Sequence, residues 1–250
     1  MLLRYVGGER GLWTVLKVPS AQQEDERRLD REIDQLTQER TRHVNRIGSL
    51  LVLHNLKTGN VAAKAWAGWW SQHCDQVPAM LRAEIERQLQ RLSLVQRQLK
   101  ELVGQRHEQV QSKASAAGQL LRLRAIGETS ALKLDKELFG WRQFDNRRQV
   151  ASSIGLTPTP YDSGGSEVEQ GISKAGNKRV RALLIELAWG WLRLQPQSEL
   201  SGWYQRRFAN AGKRMRRVGI VAVARKLAIA LWRYLKYGEI PAGAQLKPIA

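Results

Sequence analysis

The sequence contains a single cysteine among its 250 residues. Cys74 by itself can form neither an intramolecular disulfide nor a Cys-x-x-Cys zinc pair, and the four histidines are scattered, so no metal site is predicted in this chain. No stretch approaches the roughly 20 uninterrupted apolar residues that a membrane-spanning helix needs. Charged residues near the N-terminus also interrupt the apolar run of a signal peptide. These absences predict an intracellular protein with no membrane-spanning role.

Acidic residues are scarce in the second half of the chain. The whole sequence has 41 Lys and Arg against 23 Asp and Glu, a formal net charge of +18. Residues 1–118 carry +5 and residues 119–250 carry +13, and no acid lies between Glu199 and Glu239, where ten basic residues occur. Such an imbalance is typical of proteins that bind a polyanion. Nucleic acid is the leading partner, and an acidic membrane surface is less favoured.

Heptad spacing predicts two long helices in the first half. Their apolar and polar seam positions recur in alternating steps of four and three residues: Leu29, Ile33, Leu36, Arg40, His43, Ile47, Leu50 and His54, then Ile85, Leu89, Leu92, Gln96, Leu99, Val103 and Arg106. A Trp-rich segment joins the two helices, so the sequence predicts an antiparallel coiled-coil hairpin over residues 20–112. Ser20 is predicted to cap the first helix, and both seam histidines are predicted to pack between the helices. Residues 11–19 favour a single β-strand without an obvious partner strand.

The small polar residues 111–119 indicate a boundary. A compact helical domain is predicted over residues 118–240, followed by a tail at 241–250. The predicted helices span about 130–139, 145–154, 177–194 and 214–237, and a Gly-rich loop spans 155–176. The predicted fold class is therefore mainly α.

Ser163 lies in a glycine-rich segment that could present a nucleophile. Gly164 and Gly165 would let the backbone approach a ligand and would expose the hydroxyl. A basic helix start that favours an anion follows, with Ser173, Lys174, Asn177, Lys178, Arg179 and Arg181. Together these groups suit serine attack on a phosphodiester. Spacing alone, however, favours an ordinary glycine turn with a solvated serine.

Two further segments could bind nucleic acid. Residues 123–131, around Gly127, resemble a helix-hairpin-helix, whose glycine turn offers backbone amides to a phosphate, with Ala125 in place of the first glycine. A plain turn between two core helices is an equal alternative. The last helix carries basic residues beside aromatic ones, which favours nucleic-acid contact over a solvated charged face. These basic residues include Arg214, Arg216, Arg217, Arg225 and Lys226.

Four motifs in one order resemble a known family. Residues Ala151–Pro158, Tyr161–Gly165, Gly171–Leu184 and Val221–Ala228 look like the C-terminal Tnp domain of bacterial DEDD insertion-sequence transposases, the bridge-RNA-guided serine recombinases. The resemblance is collinear over about residues 120–237, and the first 55 residues are similar to the segment that leads into that family's coiled coil.

The resemblance implies a function for the serine segment. Ser163 would form a covalent phosphoserine link to DNA, which reverses the preference for an ordinary turn, and Gly164 and Gly165 would shape the site. The segments Ile172–Arg181 and Ala224–Leu227 would help to hold nucleic acid. The resemblance further implies DNA and a guide RNA as partners, self-association through the coiled coil, and Mg²⁺ bound by an N-terminal RuvC-like domain; no cofactor is expected in this chain.

The start of the sequence departs from the family pattern. Met1 falls about where the RuvC-like domain ends, so residues 1–19 are expected to be its remnant. The four acidic residues that give the DEDD family its name, and that this domain carries, are expected to lie outside this chain. One hypothesis is therefore an N-terminally truncated transposase of the bacterial cytoplasm whose serine attacks DNA phosphodiesters. The alternative is a non-catalytic nucleic-acid-binding and assembly fragment that inhibits the full-length transposase.

Overall fold

The computed structural model describes residues 6–8, 18–110, 115–163 and 166–248. The predicted fold class is confirmed, because these residues are mainly helical with one two-stranded antiparallel sheet among them. Most of the strand predicted at 11–19 lies outside the described residues.

The helices and strands follow one another along the chain. They are α1 (Ala21–Asp25), α2 (Arg28–Val52), α3 (Trp66–His73), a 3₁₀ turn (Cys74–Gln76), α4 (Ala79–Val110), α5 (Ala116–Leu121), α6 (Glu128–Leu134), a π turn (Asp135–Phe139), α7 (Arg147–Ser153), β1 (Pro158–Ser163), β2 (Ser166–Ile172), α8 (Lys178–Leu194), α9 (Glu199–Phe208) and α10 (Lys213–Tyr237).

Contacts between Cα atoms divide the chain into two compact units. The hairpin unit contains Arg27–Lys133 and the residues from Leu246 onward. The C-terminal unit contains Leu134–Gln245 together with the residues up to Glu26. The domain boundaries inferred from the sequence stay predictions.

Ser20 caps the first helix, as predicted. Its hydroxyl accepts a hydrogen bond from the Gln23 N–H at 3.2 Å, and the Gln23 side chain accepts one from the Ser20 N–H at 3.0 Å. This reciprocal pair satisfies two donors at the helix start. The prediction of one continuous helix from Ser20 is wrong, because α1 ends at Asp25 and a turn containing the buried Arg27 separates it from α2.

Helices α2 and α4 form an antiparallel pair. Arg46 forms an ion pair with Glu84 at 2.9 Å, whereas Asp30, nearer the start of α2, lies 3.9 Å from Arg106, near the end of α4. Partners thus run in opposite directions along the two helices, which confirms the predicted helical hairpin. Fully buried aliphatic side chains fill the space between the helices, with Ile47, Leu51 and Ile85 at 0% exposure.

The predicted seam is correct only in part. His43 packs as predicted, half-buried, with its Nδ1 2.7 Å from Gln88 Oε1. Arg40 and His54 are exposed, and His54 lies beyond the end of α2, so its predicted packing role is wrong. Val95, outside the predicted seam, is instead 5% exposed. A straight α-helix has 3.6 residues per turn, so a strict heptad pattern drifts around it and different positions face the partner.

Helix α10 is at the centre of the C-terminal unit. It packs against α7, α8 and α9, and its predicted apolar face is buried at Ala224, Leu227 and Leu231. The helices predicted at 130–139, 145–154, 177–194 and 214–237 are all present, the first as α6 and its π-turn extension. Helix α9 was not predicted; Ser198 starts it by accepting a hydrogen bond from the Ser201 N–H at 3.2 Å.

The loop predicted at 155–176 is wrong, because this segment contains the two paired strands. Strands β1 and β2 run antiparallel and join Pro158 to Ile172 at one end and Ser163 to Ser166 at the other. A Gly-Gly pair is a known sequence signal for the turn of a β-hairpin. The residues were visible in the sequence, and only their interpretation as a loop was mistaken.

Candidate functional site

Ser163 lies at the end of the β1–β2 hairpin. It is the last residue of β1, and its Cα pairs with that of Ser166 across the hairpin. Gly164 and Gly165 follow it in the sequence and lie outside the described residues. The backbone therefore places the predicted nucleophile at the end of a β-hairpin rather than in a loop beside α8.

The length of the hairpin separates Ser163 from the basic segment predicted to assist it. Five residue steps lie between the Pro158–Ile172 pair and the Ser163–Ser166 pair. At roughly 3.3 Å per step, these pairs are about 16 Å apart along the strands. Lys174 lies two residues after Ile172, at the near end, so the structure does not bring Ser163 and Lys174 together at one phosphate. Along a duplex, about 16 Å corresponds to about five base pairs.

Two glycines hold the near end of the hairpin against the start of α8. We call the segments Ser153–Thr157 and Ser173–Asn177 the glycine clamp. The N–H groups of Ser173, Lys174 and Asn177 donate to the carbonyl groups of Thr157, Gly155 and Ser153 at 2.8, 3.1 and 3.1 Å. Gly155 has a φ of +66° and Gly176 a φ of +89°, a conformation that glycine adopts without steric penalty.

The glycine clamp also excludes side chains at both glycines. A Cβ on Gly155 would collide with the Ala175 carbonyl oxygen, and a Cβ on Gly176 would collide with the Ser153 carbonyl oxygen. The role of these two glycines could not be predicted from the sequence, because the two backbone segments approach each other only in the folded chain.

Asn177 and Arg181 make contacts within the fold. The Asn177 side-chain oxygen caps α8 by accepting from the N–H groups of Arg179 and Val180, and its amide donates to the buried Glu137 carboxylate at 2.9 Å. The Arg181 guanidinium donates to the Ile154 carbonyl at 3.1 Å. These contacts stabilise the glycine clamp and the start of α8, and the predicted nucleic-acid role of both residues stays a prediction.

Lys174, Lys178 and Arg179 are exposed around the start of α8, while Ser173 is half-buried. The side-chain oxygen of Ser173 lies 3.3 Å from the Thr157 hydroxyl. The helix dipole adds a partial positive charge at this end of α8. A surface of this charge can hold an anion such as a phosphate group.

The helix-hairpin-helix-like segment forms a tight turn between α5 and α6. The Ile126 N–H donates to the Leu123 carbonyl at 3.2 Å, and α6 starts after Gly127. Ala125 has a φ of +87°, so the alanine occupies the turn position that requires the left-handed region and favours glycine. Contact of this turn with DNA stays a prediction.

Replacing Ala125 by glycine is expected to stabilise the hairpin unit. A left-handed conformation costs an L-residue about 1–2 kcal/mol, part of which is offset by the greater freedom of glycine in the unfolded chain. We expect the free energy of unfolding to rise by about 1 kcal/mol, as measured by urea denaturation. The same substitution at Ala83, inside α4, should lower it by about 1 kcal/mol, and equal effects at both positions would contradict this account.

The C-terminal segment covers part of this turn. The Lys247 N–H donates to the Arg122 carbonyl at 2.7 Å, and its ammonium group donates to the Ile126 carbonyl at 2.7 Å. Burial lowers the pKa of Lys247, and the nearby Glu128 partly opposes this effect. Lys247 therefore braces the turn in the hairpin unit.

A cluster of exposed cations surrounds the start of α10. We call it the basic end; its residues are Arg206, Arg207, Lys213, Arg214, Arg216 and Arg217, all exposed. Gly212 precedes the helix without a side-chain cap, so the first N–H groups of α10 add to the positive potential of the basic end. Its Arg214, Arg216 and Arg217 are the predicted nucleic-acid-binding residues of this helix start.

Arg225 and Lys226 lie farther along α10 and do not belong to the basic end. Twelve residues separate Arg214 from Lys226, which is about 18 Å along a helix. Arg225 is half-buried, and the Lys226 ammonium lies 4.7 Å from the ring centroid of Trp203. The structure therefore divides the predicted basic helix into two separate surfaces.

The described ranges contain no group of three or more His, Cys, Asp and Glu residues that could hold a metal ion. In the same part of the chain, every helix is too short or too polar to cross a bilayer.

Known proteins resemble this chain over a region that includes the β1–β2 hairpin. The model of the Transposase IS116/IS110/IS902 family matches residues 117–202, which include the hairpin and the glycine clamp. The Sinorhizobium fredii protein y4rJ, whose name describes it as a transposase, is 38% identical over 98% of this chain and 66% of its own length. The transposase of insertion sequence element IS1111A from Coxiella burnetii is 29% identical over 88% of this chain and 61% of its own length.

A third relative is the transposase of insertion sequence element IS1328 from Yersinia enterocolitica, which is 32% identical over 50% of this chain and 37% of its own length. The chain spans 66% and 61% of the first two relatives' lengths. The resemblance that the motifs indicated is confirmed at the level of the family. Since the match to y4rJ runs along nearly the whole chain and the family model includes the serine hairpin, this protein belongs to the IS116/IS110/IS902 family of insertion-sequence transposases.

Proposed function

We propose that this chain acts in DNA transposition and that Ser163 is the nucleophile that attacks a DNA phosphodiester. The position of Ser163 at the end of the β1–β2 hairpin is the observation that carries the proposal. The end of a hairpin can contact the backbone of a bound strand, while the glycine clamp fixes the other end of this hairpin.

The proposed step is a phosphoryl exchange. The Ser163 hydroxyl oxygen forms a bond to phosphorus as one phosphorus–oxygen bond to deoxyribose breaks, and the departing sugar oxygen ends with the proton that the serine loses. The exchange keeps the phosphodiester bond energy in the covalent intermediate and consumes no oxidant or nucleotide. A strand hydroxyl can then reverse the exchange at a new junction.

The cations of the chain are proposed to position DNA. Lys174 and Lys178 at the start of α8, and the basic end on α10, are exposed and can contact phosphates. The distance between Ser163 and Lys174 along the hairpin favours contacts of the α8 start several base pairs from the reacting phosphate. Neutralisation of charge at the reacting phosphate must then come from other groups.

The resemblance suggests that Mg²⁺ bound by an acidic RuvC-like domain supplies the positive charge that neutralises the reacting phosphate. The described residues of this chain do not fit such a site, because they contain no suitable cluster of metal ligands. We therefore derive no step through Mg²⁺. A guide RNA and a second copy of the protein, joined through the helical hairpin, are proposed as partners on the same ground of resemblance.

A covalent trap tests the nucleophile. This chain is mixed with a full-length relative, the guide RNA of that relative and its end-labelled DNA, and adducts of the mass of this chain are separated under denaturing conditions. We expect an adduct that disappears in Ser163→Ala. Ser166→Ala is the matched control, because Ser166 is the cross-strand partner at the same end of the hairpin, and this variant should retain the adduct.

Mass spectrometry of the adduct should place the modified residue at Ser163. An adduct that survives Ser163→Ala, or one mapped to another residue, would contradict the nucleophile assignment. Absence of any adduct beside intact nucleic-acid binding would favour the non-catalytic binding fragment instead.

The basic end gives a separate prediction for nucleic-acid binding. Removing two phosphate contacts with Arg214→Gln and Arg216→Gln should reduce the slope of log affinity against log salt by about 1.8 for a duplex. The matched control removes two exposed arginines from α4, Arg91 and Arg97, with the same change in net charge. Binding titrations at several salt concentrations measure the slopes, and equal changes in both double variants would refute a specific role for the basic end.

A further inference from the structure

An open cleft in the C-terminal unit has no role in the proposed chemistry. Its volume is about 850 Å³, and it lies between α9, α10 and the segment that follows α10. Trp203 lines one side, and Trp232 and Tyr237 line another. A cleft of this volume is in the range of small-ligand sites.

The aromatic side chains of the cleft present flat surfaces. Trp203 is half-buried, and Tyr237 is 56% exposed. Trp232 holds Tyr237 in an edge-to-face contact with their ring centroids 5.9 Å apart. The Tyr237 ring is thus held by Trp232 while more than half of the side chain is exposed, and the Lys236 ammonium lies 5.4 Å from its ring centroid. An exposed ring fixed in this way can serve as a stacking platform.

Charged groups surround these rings. The Lys226 ammonium lies 4.7 Å from the Trp203 ring centroid, and Arg147 also lines the cleft. The carboxylates of Glu199 and Glu239 line it as well, and Glu239 pairs with Arg233 at 2.9 Å. The cleft therefore combines cations, which suit a phosphate, with hydrogen-bond acceptors, which suit the amino groups of a base.

We propose that this cleft binds an unpaired nucleotide of a nucleic acid strand. The base would stack on Trp203 or Tyr237, and the Lys226 ammonium would leave the face of Trp203 to pair with the adjacent phosphate. A base inside a duplex offers no free face to such a platform, since its neighbours cover both sides. The inference rests on the proposed function in supposing that nucleic acid is the partner, and it adds recognition of a single-stranded site.

Equilibrium binding of labelled oligonucleotides tests this proposal. The full 250-residue chain carrying Ser163→Ala serves as parent, so that covalent chemistry does not interfere. Single-stranded DNA, single-stranded RNA and duplex DNA of equal length form three arms. Trp203→Leu should weaken single-strand binding about tenfold, the size typical of one lost base stack, and should change duplex binding less than about twofold.

Two further variants keep the test decisive if Trp203→Leu folds poorly. Tyr237→Leu changes an exposed side chain and should produce the same selective loss. Trp189→Leu is the matched control, because Trp189 is 52% exposed and does not line the cleft, and it should leave binding within about twofold of the parent. A loss in the DNA arm, the RNA arm or both identifies which strand the cleft binds.

Photocrosslinking locates the base directly. A single-stranded oligonucleotide with one 5-iodouracil should crosslink to Trp203, Trp232 or Tyr237. Crosslinks only outside the cleft, an unchanged single-strand affinity in Tyr237→Leu, or equal losses for single strand and duplex would overturn the proposal. If the cleft variants behave as expected while the covalent trap yields no Ser163 adduct, the cleft proposal stands and the nucleophile proposal fails. If the trap yields the Ser163 adduct while the cleft variants bind single strands as the parent does, the nucleophile proposal stands and the cleft proposal fails.

Discussion

Replacing Gly176 by alanine is expected to lower the free energy of unfolding of the C-terminal unit by about 3 kcal/mol. The φ of +89° at this position costs an L-residue about 1–2 kcal/mol. The added Cβ would also collide with the Ser153 carbonyl oxygen, and overpacking of this kind costs about 1–3 kcal/mol. Gly155→Ala meets the Ala175 carbonyl in the same way and should cause a loss of similar size.

Two other glycines allow the two causes to be separated. Gly171 has a φ of +83°, but no atom lies within 4 Å of its added Cβ, so Gly171→Ala should cost only about 1–2 kcal/mol. Gly190 lies inside α8 with open space around it, and Gly190→Ala should raise stability by up to about 1 kcal/mol. Urea denaturation of the four variants measures this order, and a Gly176→Ala variant as stable as Gly171→Ala would rule out the collision.

The glycine clamp variants should also affect the proposed chemistry. At a temperature where Gly176→Ala remains folded, we expect a lower yield of the Ser163 adduct, because the collision displaces the near end of the hairpin. Gly171→Ala lies on β2 without a collision and should reduce the yield less. An unchanged yield in folded Gly176→Ala would show that the clamp does not position the serine.

Replacing Gly219 by valine is expected to separate α9 from α10 and to cost about 2–3 kcal/mol. A Cβ on Gly219 would lie 2.6 Å from Phe208 Cγ and 2.9 Å from Tyr204 Cε2. Both rings are buried, at 8% and 5% exposure, so neither can move aside without opening the core. Overpacking acts against the variant and outweighs the small gain in helix propensity that valine has over glycine.

Gly190→Val is the matched control for this substitution. It places the same β-branched side chain in a helix of the same unit, but nothing lies within 4 Å of the new Cβ. Thermal denaturation should show a lower midpoint for Gly219→Val and a nearly unchanged one for Gly190→Val. Because Arg206 and Arg214 lie on the two helices that Gly219 holds together, the salt dependence of DNA binding should also weaken in the first variant alone. Equal midpoints would refute the close packing at Gly219.

The helices with strong apolar periodicity could be predicted from the sequence. Helices α8 and α10 bury the faces that the sequence indicates, including Leu184 and Leu227. Helix α9 escaped prediction because its core-facing residues are few and mixed with serine and glycine, such as Ser201. The Ser198 cap and packing against α10 stabilise this helix, and the packing exists only in the folded chain.

The serine segment shows the other limit of prediction from sequence. Residue types around Ser163 indicate a nucleophile and nearby cations, and the resemblance to a family turns this pattern into a hypothesis. The order of residues does not reveal how far Ser163 lies from these cations in the folded chain. Pairing of β1 with β2 places Ser163 and the start of α8 at opposite ends of a hairpin. The distance between these ends is large because each residue of an extended strand adds about 3.3 Å.

The +18 net charge, the mainly helical composition and the transposase resemblance were determined by the sequence alone, since each depends on residue types and their order. Tertiary structure alone decided that Gly155 and Gly176 join two backbone segments, that Lys226 leaves the basic end to face Trp203, and that Ala125 takes a left-handed conformation. The physical reason is the same in each case. These features depend on contacts between residues distant in sequence or on backbone angles imposed by packing, and local periodicity and composition carry no information about either.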